Sequence, residues 1–501
     1  MLKLNDKSVE AQLLLAEIAI RQNKISEAET QLEALRNLTP PLNPIQRARV
    51  MVLQGRALEA QPAKIGEALP SYIEAIQLVG DKDVGPTVAA TSLLARQATA
   101  LETSDPAKAA ELRAQADQLL APLTERAEKD AGLATTLGGA YLDAKNPLKA
   151  EQWVRKALAS RPNDIEAHFR LAEALRMQER LDESLAMLKK AYDLAPERVD
   201  VGLELAREYE RRGRELEAGT MYDRLLTGKE VSIDLRGRAG RFFIRQGNFD
   251  KAKEQGEAIA AIDAQNPAGQ YVRGEVLLNA NQTEEARRLF QQAVDADPNP
   301  QFFDALGRAA ERWAAETGDT RFKDEALRAY TDAVKGDPRI FTSQVGKARL
   351  LLDRRDAKGA LATLKEAEAI KAGDPEVAYG MGLAYVGLNQ RKEAITWLNK
   401  SMVAKPRAIA AYRLALLYLD ADQGGATVSS LTTAVKLGLE EEVQSGKLLE
   451  WLTDAMYTLG QMEYERRNHG AAKRAWNQYI ARSPKDQARV DEVKRALALM
   501  P

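Results

Sequence analysis

Few side chains in this 501-residue sequence are suited to catalysis or to metal binding. There is no cysteine, and the only histidines are His168 and His469. The sequence therefore has no thiol and only two imidazole side chains for catalysis or metal binding. His168 lies within a helical apolar pattern, which favours a packing role. His469 lies in a polar turn, where we expect it to be exposed. No catalytic residue, metal site or cofactor is predicted.

Three Gly-Lys pairs invite comparison with a phosphate-binding loop, but none has the surrounding sequence that such a loop needs. The stretches VGKARL, TGKEVS and SGKLLE lack the upstream glycine and the following Ser or Thr. The acidic run at 440–442 is typical of a solvated surface rather than of a metal site. An enzyme would require a catalytic domain outside this chain, and we interpret the chain as non-enzymatic.

One basic stretch is suited to binding an anion. In RGRAGRFFIR, Arg238, Arg241 and Arg245 are three and four residues apart, so a helix would place them on one face. Asp234 is the only acidic residue aligned with them. Because guanidinium groups bind carboxylates through paired hydrogen bonds, an acidic segment or a C-terminal carboxylate is the favoured guest. An ordinary solvated face is the alternative.

The composition limits the classes of partner. The formal net charge is −1, which predicts no general attraction to nucleic acid. The apolar run LLLAEIAI contains Glu17 and is too short to span a membrane, so no direct membrane insertion is expected. The lack of cysteine favours a cytoplasmic location. A periplasmic or envelope-attached location is the alternative if an upstream signal is missing from this chain.

The elements that carry these residues are repeated along the chain. Pro162 and Pro196 are 34 residues apart, and Pro196 and Pro298 are 102 apart, three times that period. Within each period, two apolar blocks with helical spacing are separated by a polar turn such as GNFDKA. Proline ends the second block because it has no backbone N–H to donate. A single hairpin of this kind cannot bury its apolar face alone, so neighbours must stack.

This pattern resembles the tetratricopeptide repeat (TPR) family. In the family pattern, Leu and a small residue are followed by an aromatic residue, an Ala, a large residue and a closing Pro. The unit that starts at residue 131 supplies these as Leu137, Gly138, Tyr141, Ala150, Val154 and Pro162. About thirteen units start near residues 9, 44, 86, 131, 165, 199, 233, 267, 300, 341, 375, 408 and 453. The resemblance implies an all-α, right-handed superhelical solenoid of about thirteen antiparallel helical hairpins.

The regularity of the pattern divides the chain into four predicted segments. These are irregular repeats in 1–130, regular repeats in 131–340, C-terminal repeats in 341–486 and a capping helix in 487–501. Residues 104–130 predict a longer second helix, and the unit from 300 has about seven residues more than the 34-residue pattern between its helices. The opening residues MLKLND resemble the tail of a preceding helix. They predict that the chain is a piece of a longer protein, with a short native start as the alternative.

The resemblance also implies where a partner binds. In TPR proteins, the first helix of each hairpin lines a groove through positions near 2, 5, 6, 9, 12 and 13 of the repeat. The candidate partner-binding residues at such positions are Arg207, Arg211, Arg238, Arg241 and Arg245, with Tyr271, Tyr379, Tyr412 and Tyr457 at position 5. Tyrosine offers a large contact area and a hydrogen-bonding tip. For the arginines, ion pairing within the chain is the alternative, and for the tyrosines it is packing against the adjacent first helix.

These observations favour a non-enzymatic scaffold that binds a peptide or a partner helix in its groove as part of a larger complex. The partner is a protein or peptide, with an acidic segment as the specific candidate, and not a nucleic acid. The alternative is a subunit of bacterial cell-envelope machinery, such as a polysaccharide-export or pilus-assembly TPR lipoprotein. Alanine-rich helices without cysteine favour a bacterial source.

Overall fold

The computed structural model describes residues 8–38, 40–80, 82–228 and 231–500, and this part of the chain forms helices and no β-strand. The opening residues MLKLND lie outside the described residues. Consecutive helices pack against each other as antiparallel pairs joined by turns. The chain divides into two compact units, Met1–Lys229 and Glu230–Pro501.

The first unit contains the helices α1 to α13. Their bounds are α1 (Val9–Arg21), α2 (Ile25–Arg36), α3 (Pro44–Glu59), α4 (Ala68–Val79), α5 (Gly85–Leu101), α6 (Pro106–Leu120), α7 (Thr124–Ala127), α8 (Ala131–Asp143), α9 (Pro147–Ser160), α10 (Ile165–Met177), α11 (Leu181–Leu194), α12 (Val199–Arg211) and α13 (Glu215–Leu226). Two 3-10 turns, Ile65–Glu67 and Ala121–Leu123, precede α4 and α7.

The second unit contains the helices α14 to α28. Their bounds are α14 (Ile233–Arg245), α15 (Phe249–Ile262), α16 (Pro267–Asn279), α17 (Thr283–Ala296), α18 (Pro300–Thr317), α19 (Thr320–Gly336), α20 (Phe341–Asp353), α21 (Ala357–Ile370), α22 (Pro375–Gly387), α23 (Arg391–Ala404), α24 (Ala408–Leu419), α25 (Gly424–Ser445), α26 (Glu450–Glu465), α27 (His469–Ala481) and α28 (Gln487–Leu499).

All described helices except α7 and α28 form thirteen hairpins, six in the first unit and seven in the second; α7 is a single turn before the fourth hairpin, and α28 follows the last one. The first helices of these hairpins begin at the predicted residues except in two cases, at 85 instead of 86 and at 450 instead of 453. The predicted all-α repeat fold with about thirteen helical hairpins is therefore confirmed. The predicted division into four segments stays a prediction.

Local sequence signals set the ends of these helices. At α16, Asn266 accepts a hydrogen bond from the backbone N–H of Ala268, and Pro267 takes the first helical position. In most of the described hairpins, the turn between the paired helices contains one residue in the left-handed conformation. Glycine provides it at Gly213 and Gly247, with φ of 64° and 68°, and Asn281 provides it in the following hairpin with φ of 62°. Asparagine tolerates this conformation better than most side chains do.

Small residues allow the paired helices to approach each other closely. A Cβ atom at Gly274 would lie 2.6 Å from the ring of Phe290, and one at Gly307 would lie 2.6 Å from the ring of Tyr330. Ala286 is fully buried. It stands at a position of the second helix where the repeat pattern has alanine. The large rings fill the space that the small residues leave, so a larger side chain at Ala286 would overpack the contact.

The additional residues of the unit from 300 extend both helices of the hairpin and do not form a loop. Helix α18 has 18 residues and α19 has 17, whereas α16 and α17 have 13 and 14. The extensions contact each other through the rings of Trp313 and Phe322, whose centroids are 6.3 Å apart. Gly318 closes the turn between them in the left-handed conformation, with φ of 73°.

The acidic residues at 440–442 also belong to a helix, because α25 continues for 22 residues. Glu440 and Glu441 are exposed. The Glu442 carboxylate instead accepts two hydrogen bonds from the Arg482 guanidinium, each 2.6 Å long, and one of 2.5 Å from the Leu449 backbone N–H. Arg482 holds the pKa of Glu442 below its ordinary value. The interpretation of this run as solvated was therefore wrong for Glu442.

Residues 104–130 do not form one long second helix, so that prediction was wrong. Helix α6 ends at Leu120, a 3-10 turn follows at Ala121–Leu123, and α7 is a single turn. Pro122 lies within the 3-10 turn. Its ring and its missing N–H interrupt the α-helical hydrogen-bond ladder, which explains the break.

The two terminal helices differ in how much apolar surface they cover. In α28, Val490 and Val493 pack into the apolar cluster that contains Tyr457, Trp476 and Tyr479. In α1, Leu13 is buried but Leu14, Leu15 and Ile18 are 46%, 47% and 41% exposed. Among the described helices, none combines the length and apolar composition that crossing a membrane requires.

Candidate functional site

The predicted arginine stripe lies on α14, in the second unit. The helix begins at the N-cap Ser232, whose side chain accepts a hydrogen bond from the backbone N–H of Leu235 at 3.2 Å. Its buried face carries Leu235, Ala239, Phe242 and Phe243. Arg238, Arg241 and Arg245 therefore lie on the remaining face, as their spacing predicts. This face is one part of the first-helix face, the set of side chains at positions near 2, 5, 6, 9, 12 and 13 of each first helix.

Arg241 is the member of the stripe whose charge is not compensated. Arg238 forms an ion pair with Asp234 at 2.8 Å, and Arg245 is exposed. No ion pair or side-chain hydrogen bond joins Arg241 to the residues that the structure describes. Burial lowers the pKa of Arg241, Tyr271 and Asp234 act in the opposite direction, and the charges of Arg238 and Arg245 lower the pKa further. A carboxylate from outside the chain would relieve this cost.

The acidic residue at the equivalent position of the next hairpin is already paired elsewhere. Glu275 on α16 is 7% exposed and forms an ion pair with Arg308 on α18. The Arg308 Nε atom also donates to Asp304 at 3.1 Å. Although burial opposes the charged form, these two carboxylates raise the pKa of Arg308. Glu275 is therefore engaged by Arg308, and Asp234, the acidic residue whose charge acts on Arg241, forms its ion pair with Arg238.

The two predicted arginines of the first unit, Arg207 and Arg211, are paired within their own helix. On α12, Arg207 donates to Glu204 at 2.8 Å, and the Nε atom of Arg211 donates to Glu208 at 3.0 Å. Glu208 is 2% exposed and also accepts from Arg212 at 2.8 Å. The donors of Arg207 and Arg211 are thus engaged inside the chain, as the ion-pairing alternative describes.

Three of the four predicted tyrosines make ring contacts within the chain. Tyr271 lies against Phe290 and Phe302, with centroid distances of 6.0 and 5.2 Å, and Tyr412 stacks on Trp451 at 5.0 Å. Tyr457 is 8% exposed, and its hydroxyl donates to Glu492 of α28 at 3.1 Å. Helix α28 therefore covers Tyr457, and packing accounts for the place of these three rings.

Tyr379 differs from the other tyrosines because it lines a cavity of about 130 Å³ between α20 and α22. The apolar part of this cavity is formed by Val345, Leu352, Leu364, Tyr379, Gly380 and Leu383. Arg349, Asp353 and Glu376 lie at its edge. All but Leu364 occupy positions of the first-helix face, so this part of the surface is concave and apolar where the repeat pattern places a groove.

Sequence reasoning missed one aromatic residue of the same kind. Phe169 is the fifth residue of the unit that starts at 165, the position that the four tyrosines hold in their units. It lines a second cavity, of about 190 Å³, in the first unit. The signal is present in the sequence, because an aromatic residue of any type at position 5 marks the same place on the first helix.

The two histidines have structural contacts. His168 is 8% exposed, and its Nε2 atom is 2.8 Å from the carbonyl oxygen of Pro162, which agrees with the predicted packing role. His469 is half-buried and lies edge-on to Tyr464 with a centroid distance of 5.8 Å. The expectation that His469 is exposed was wrong.

Comparison with family profiles gives two matches, both described as Tetratricopeptide repeat. One covers residues 233–309 and 351–417, and the other covers residues 140–199 and 318–375. The comparison with curated proteins finds no match.

Several solved structures are similar in their helical repeats. The Cut9–Hcn1 hetero-tetramer of APC/C matches with 15% identity over 98% of this chain and 97% of that chain, with a TM-score of 0.44. A tetratricopeptide repeat protein from Parabacteroides merdae matches with 14% identity over 51% of this chain and 98% of that chain, with a TM-score of 0.43. MamA from Desulfovibrio magneticus matches with 21% identity over 35% and 97%, with a TM-score of 0.31. Similarity at this level carries no information about partners.

Proposed function

Because the chain is a tetratricopeptide repeat protein, we propose that it is a non-enzymatic scaffold that binds a peptide segment of another protein on its first-helix face. An acidic residue of that segment binds Arg241. Proteins of this fold serve in protein–protein interaction, and the stacked hairpins offer an extended row of side chains to a partner.

The proposal that the bound segment is acidic rests on the uncompensated charge of the half-buried Arg241. Glu275 is bound by Arg308 and Asp234 by Arg238, so no carboxylate among the described residues forms an ion pair with Arg241. A guanidinium that has already lost part of its hydration binds a carboxylate more strongly than an exposed one does. Arg238, 29% exposed at its side chain, adds positive charge on the same stripe.

The cavity beside Tyr379 supports the same proposal from an apolar feature. Its volume of about 130 Å³ and its position on the first-helix face suit an aliphatic side chain of the bound segment. Buried pockets that accept one anchor residue carry much of the binding energy in protein interfaces. The second unit thus offers a peptide one cationic contact, at Arg241, and one apolar contact, beside Tyr379.

A peptide-display selection tests the acidic guest and requires no identified partner. Random peptides selected on the wild-type protein should be enriched in Asp and Glu. Peptides selected on Arg241→Glu should lose this enrichment, since the variant places a carboxylate where the guest would bind. Binding of the selected peptides to wild type should weaken with added salt, because screening shortens the range of charge interactions to about 8 Å at 0.15 M.

Arg339→Glu is the matched control, because Arg339 is 85% exposed, lies in the same unit and undergoes the same charge change. It should leave the selected peptides unchanged. Selection of the same acidic peptides by wild type and by Arg241→Glu would refute the proposed role of Arg241.

The cytoplasmic location and the membership of a larger complex belong to this proposal as well. Fractionation of the source cells, followed by sizing of the endogenous protein, tests both. Recovery of the protein with the envelope fraction would favour the alternative of an envelope subunit.

A further inference from the structure

The first unit contains a cavity of about 190 Å³ between α10, α11 and α12, separate from the residues that carry the proposed acidic contact in the second unit. Its lining includes the apolar residues Phe169, Ala172 and Leu188 and five charged residues, Arg170, Glu173, Arg176, Glu204 and Arg211. Phe169, Arg170, Arg176 and Arg211 stand at positions 5, 6, 12 and 13 of their repeats, so the cavity opens on the first-helix face. We call it the Phe169 pocket.

The floor of the Phe169 pocket is apolar and has no unsatisfied polar group. Leu188 and Ala172 are 5% and 1% exposed, and the buried Ser184 hydroxyl at the edge of the floor donates to the Ala172 carbonyl at 2.7 Å. No other aromatic ring of the described part of the chain contacts Phe169, in contrast to Tyr271, Tyr412 and Tyr457. No second ring therefore covers the part of the half-buried Phe169 side chain that lines the pocket.

The volume of the pocket matches a single large side chain. A protein cavity of about 150 Å³ with apolar walls is large enough to bind benzene. The Phe169 pocket, at about 190 Å³, can therefore hold one phenyl ring or one branched aliphatic side chain. Aromatic rings prefer offset or edge-on contacts with each other, which a ring entering beside Phe169 can make.

Three arginines, Arg170, Arg176 and Arg211, and two glutamates, Glu173 and Glu204, line the pocket, so one positive charge is in excess at the rim. Arg170 donates to Glu166 at 2.8 Å and to Glu173 at 3.4 Å, and Arg211 donates to Glu208 at 3.0 Å. Arg176 is exposed and forms no ion pair within the described ranges. The rim therefore favours a ligand that carries a carboxylate close to its apolar side chain.

We propose that the Phe169 pocket binds one large apolar side chain of a peptide, and that Arg176 binds an acidic residue next to it. The proposal rests on the proposed function, in that the occupant is a segment of a partner protein lying on the first-helix face. It adds an independent specificity site in the first unit and defines a two-residue motif, a large apolar residue beside an acidic one.

Fluorine NMR with two small probes tests the pocket on the full chain. The first probe is N-acetyl-4-fluorophenylalanyl-aspartate amide, and the second carries lysine in place of aspartate. The aspartate probe should show saturable line broadening with wild type and bind about two- to fivefold more tightly than the lysine probe, the range expected for one exposed charge pair. Phe169→Ala should remove most of the broadening for both probes.

Arg176→Glu keeps the proposal falsifiable if Phe169→Ala fails to fold, because Arg176 is exposed and unpaired in the described structure. This variant should reverse the preference, so that the lysine probe binds more tightly. Arg161→Glu, a charge reversal at another exposed residue of the first unit, should leave the preference as in wild type. Equal binding of the two probes by wild type, or an unchanged preference in Arg176→Glu, would overturn the proposal.

Failure of the Phe169 pocket can be distinguished from failure of the proposed scaffold function. If peptide display shows the acidic enrichment that depends on Arg241 but the probes ignore Phe169 and Arg176, the scaffold stands and the Phe169 pocket does not. If neither the display selection nor the probes show binding, the proposed function itself fails.

Discussion

The ion pair between Glu442 and Arg482 should hold the end of α25 to the last hairpin. The pair is well shielded, with side chains 11% and 12% exposed. The guanidinium donates four hydrogen bonds, namely two to Glu442, one to the Thr453 hydroxyl and one to the Leu449 carbonyl. We predict that Arg482→Met or Glu442→Leu destabilises this region and that the double variant recovers much of the loss.

The magnitude follows from what each single variant leaves behind. Removing one partner leaves the other charge unpaired in a site that is largely shielded from solvent. Such a change lowers the free energy of unfolding by about 3–5 kcal/mol. Two charge-assisted hydrogen bonds at about 1.5–3 kcal/mol each give a similar figure. In the double variant no charge is stranded, and replacing a buried pair by apolar residues is often close to neutral, so the loss should fall to about 1 kcal/mol or less.

Urea unfolding combined with hydrogen exchange measures this effect where it occurs. In a repeat protein the loss should be local, so protection should fall in residues 424–499 and stay unchanged in α8 to α12. The same pair predicts a pH dependence. The pKa of Glu442 lies below its ordinary value of 4.5, so the stability that it contributes is complete above that value and is lost as the pH falls through the folded-state pKa.

Two results would refute this reasoning. If the double variant loses as much stability as the sum of the two single variants, the side chains do not act as a pair. If the acid unfolding of the last hairpins is the same in wild type and Glu442→Leu, the carboxylate does not supply the expected pH dependence.

Two further predictions concern packing. Ala286→Leu should overpack the contact between α16 and α17 and lower the free energy of unfolding by about 1–3 kcal/mol, seen as a local loss of hydrogen-exchange protection. The control Ala261→Leu, at an exposed position of α15, should cost little stability. A uniform loss of protection across all hairpins would contradict local stacking. Tyr412→Ala should lower the melting temperature more than Tyr379→Ala does. Tyr412 stacks on Trp451, and such an aromatic pair contributes about 0.5–1.5 kcal/mol, whereas Tyr379 lines an open cavity. Equal losses by calorimetry would show that the cavity wall is as tightly packed as the stacked pair.

The repeat fold could be predicted in detail because every hairpin carries its own local signals. Proline after the second helix, a turn residue such as Gly247 and small residues such as Gly274 recur at a fixed period, and the error at any one unit is corrected by its neighbours. The departures from the repeat pattern were harder to predict. The extended helices α18 and α19 replace an expected loop because Trp313 and Phe322 stabilise the extension through a contact that no local pattern reveals.

The candidate site was predictable only as a set of positions. The spacing of Arg238, Arg241 and Arg245 placed them on one face, but it did not show that Asp234 pairs with Arg238 and leaves Arg241 without an ion pair among the described residues. In the same way, Tyr457 has the position of a surface tyrosine and is buried because α28 returns over it. Such pairings are decided by tertiary packing, which one sequence does not display.

The restriction of most helix contacts to neighbours within each unit has a mechanical consequence. When the chain is pulled from its ends, load passes through each hairpin in turn, and the weakest one opens while the others stay folded. Opening one 34-residue hairpin releases up to roughly 115 Å of extended chain. A partner tethered to this protein would therefore be held by a support that lengthens in steps under tension and shortens again as hairpins refold.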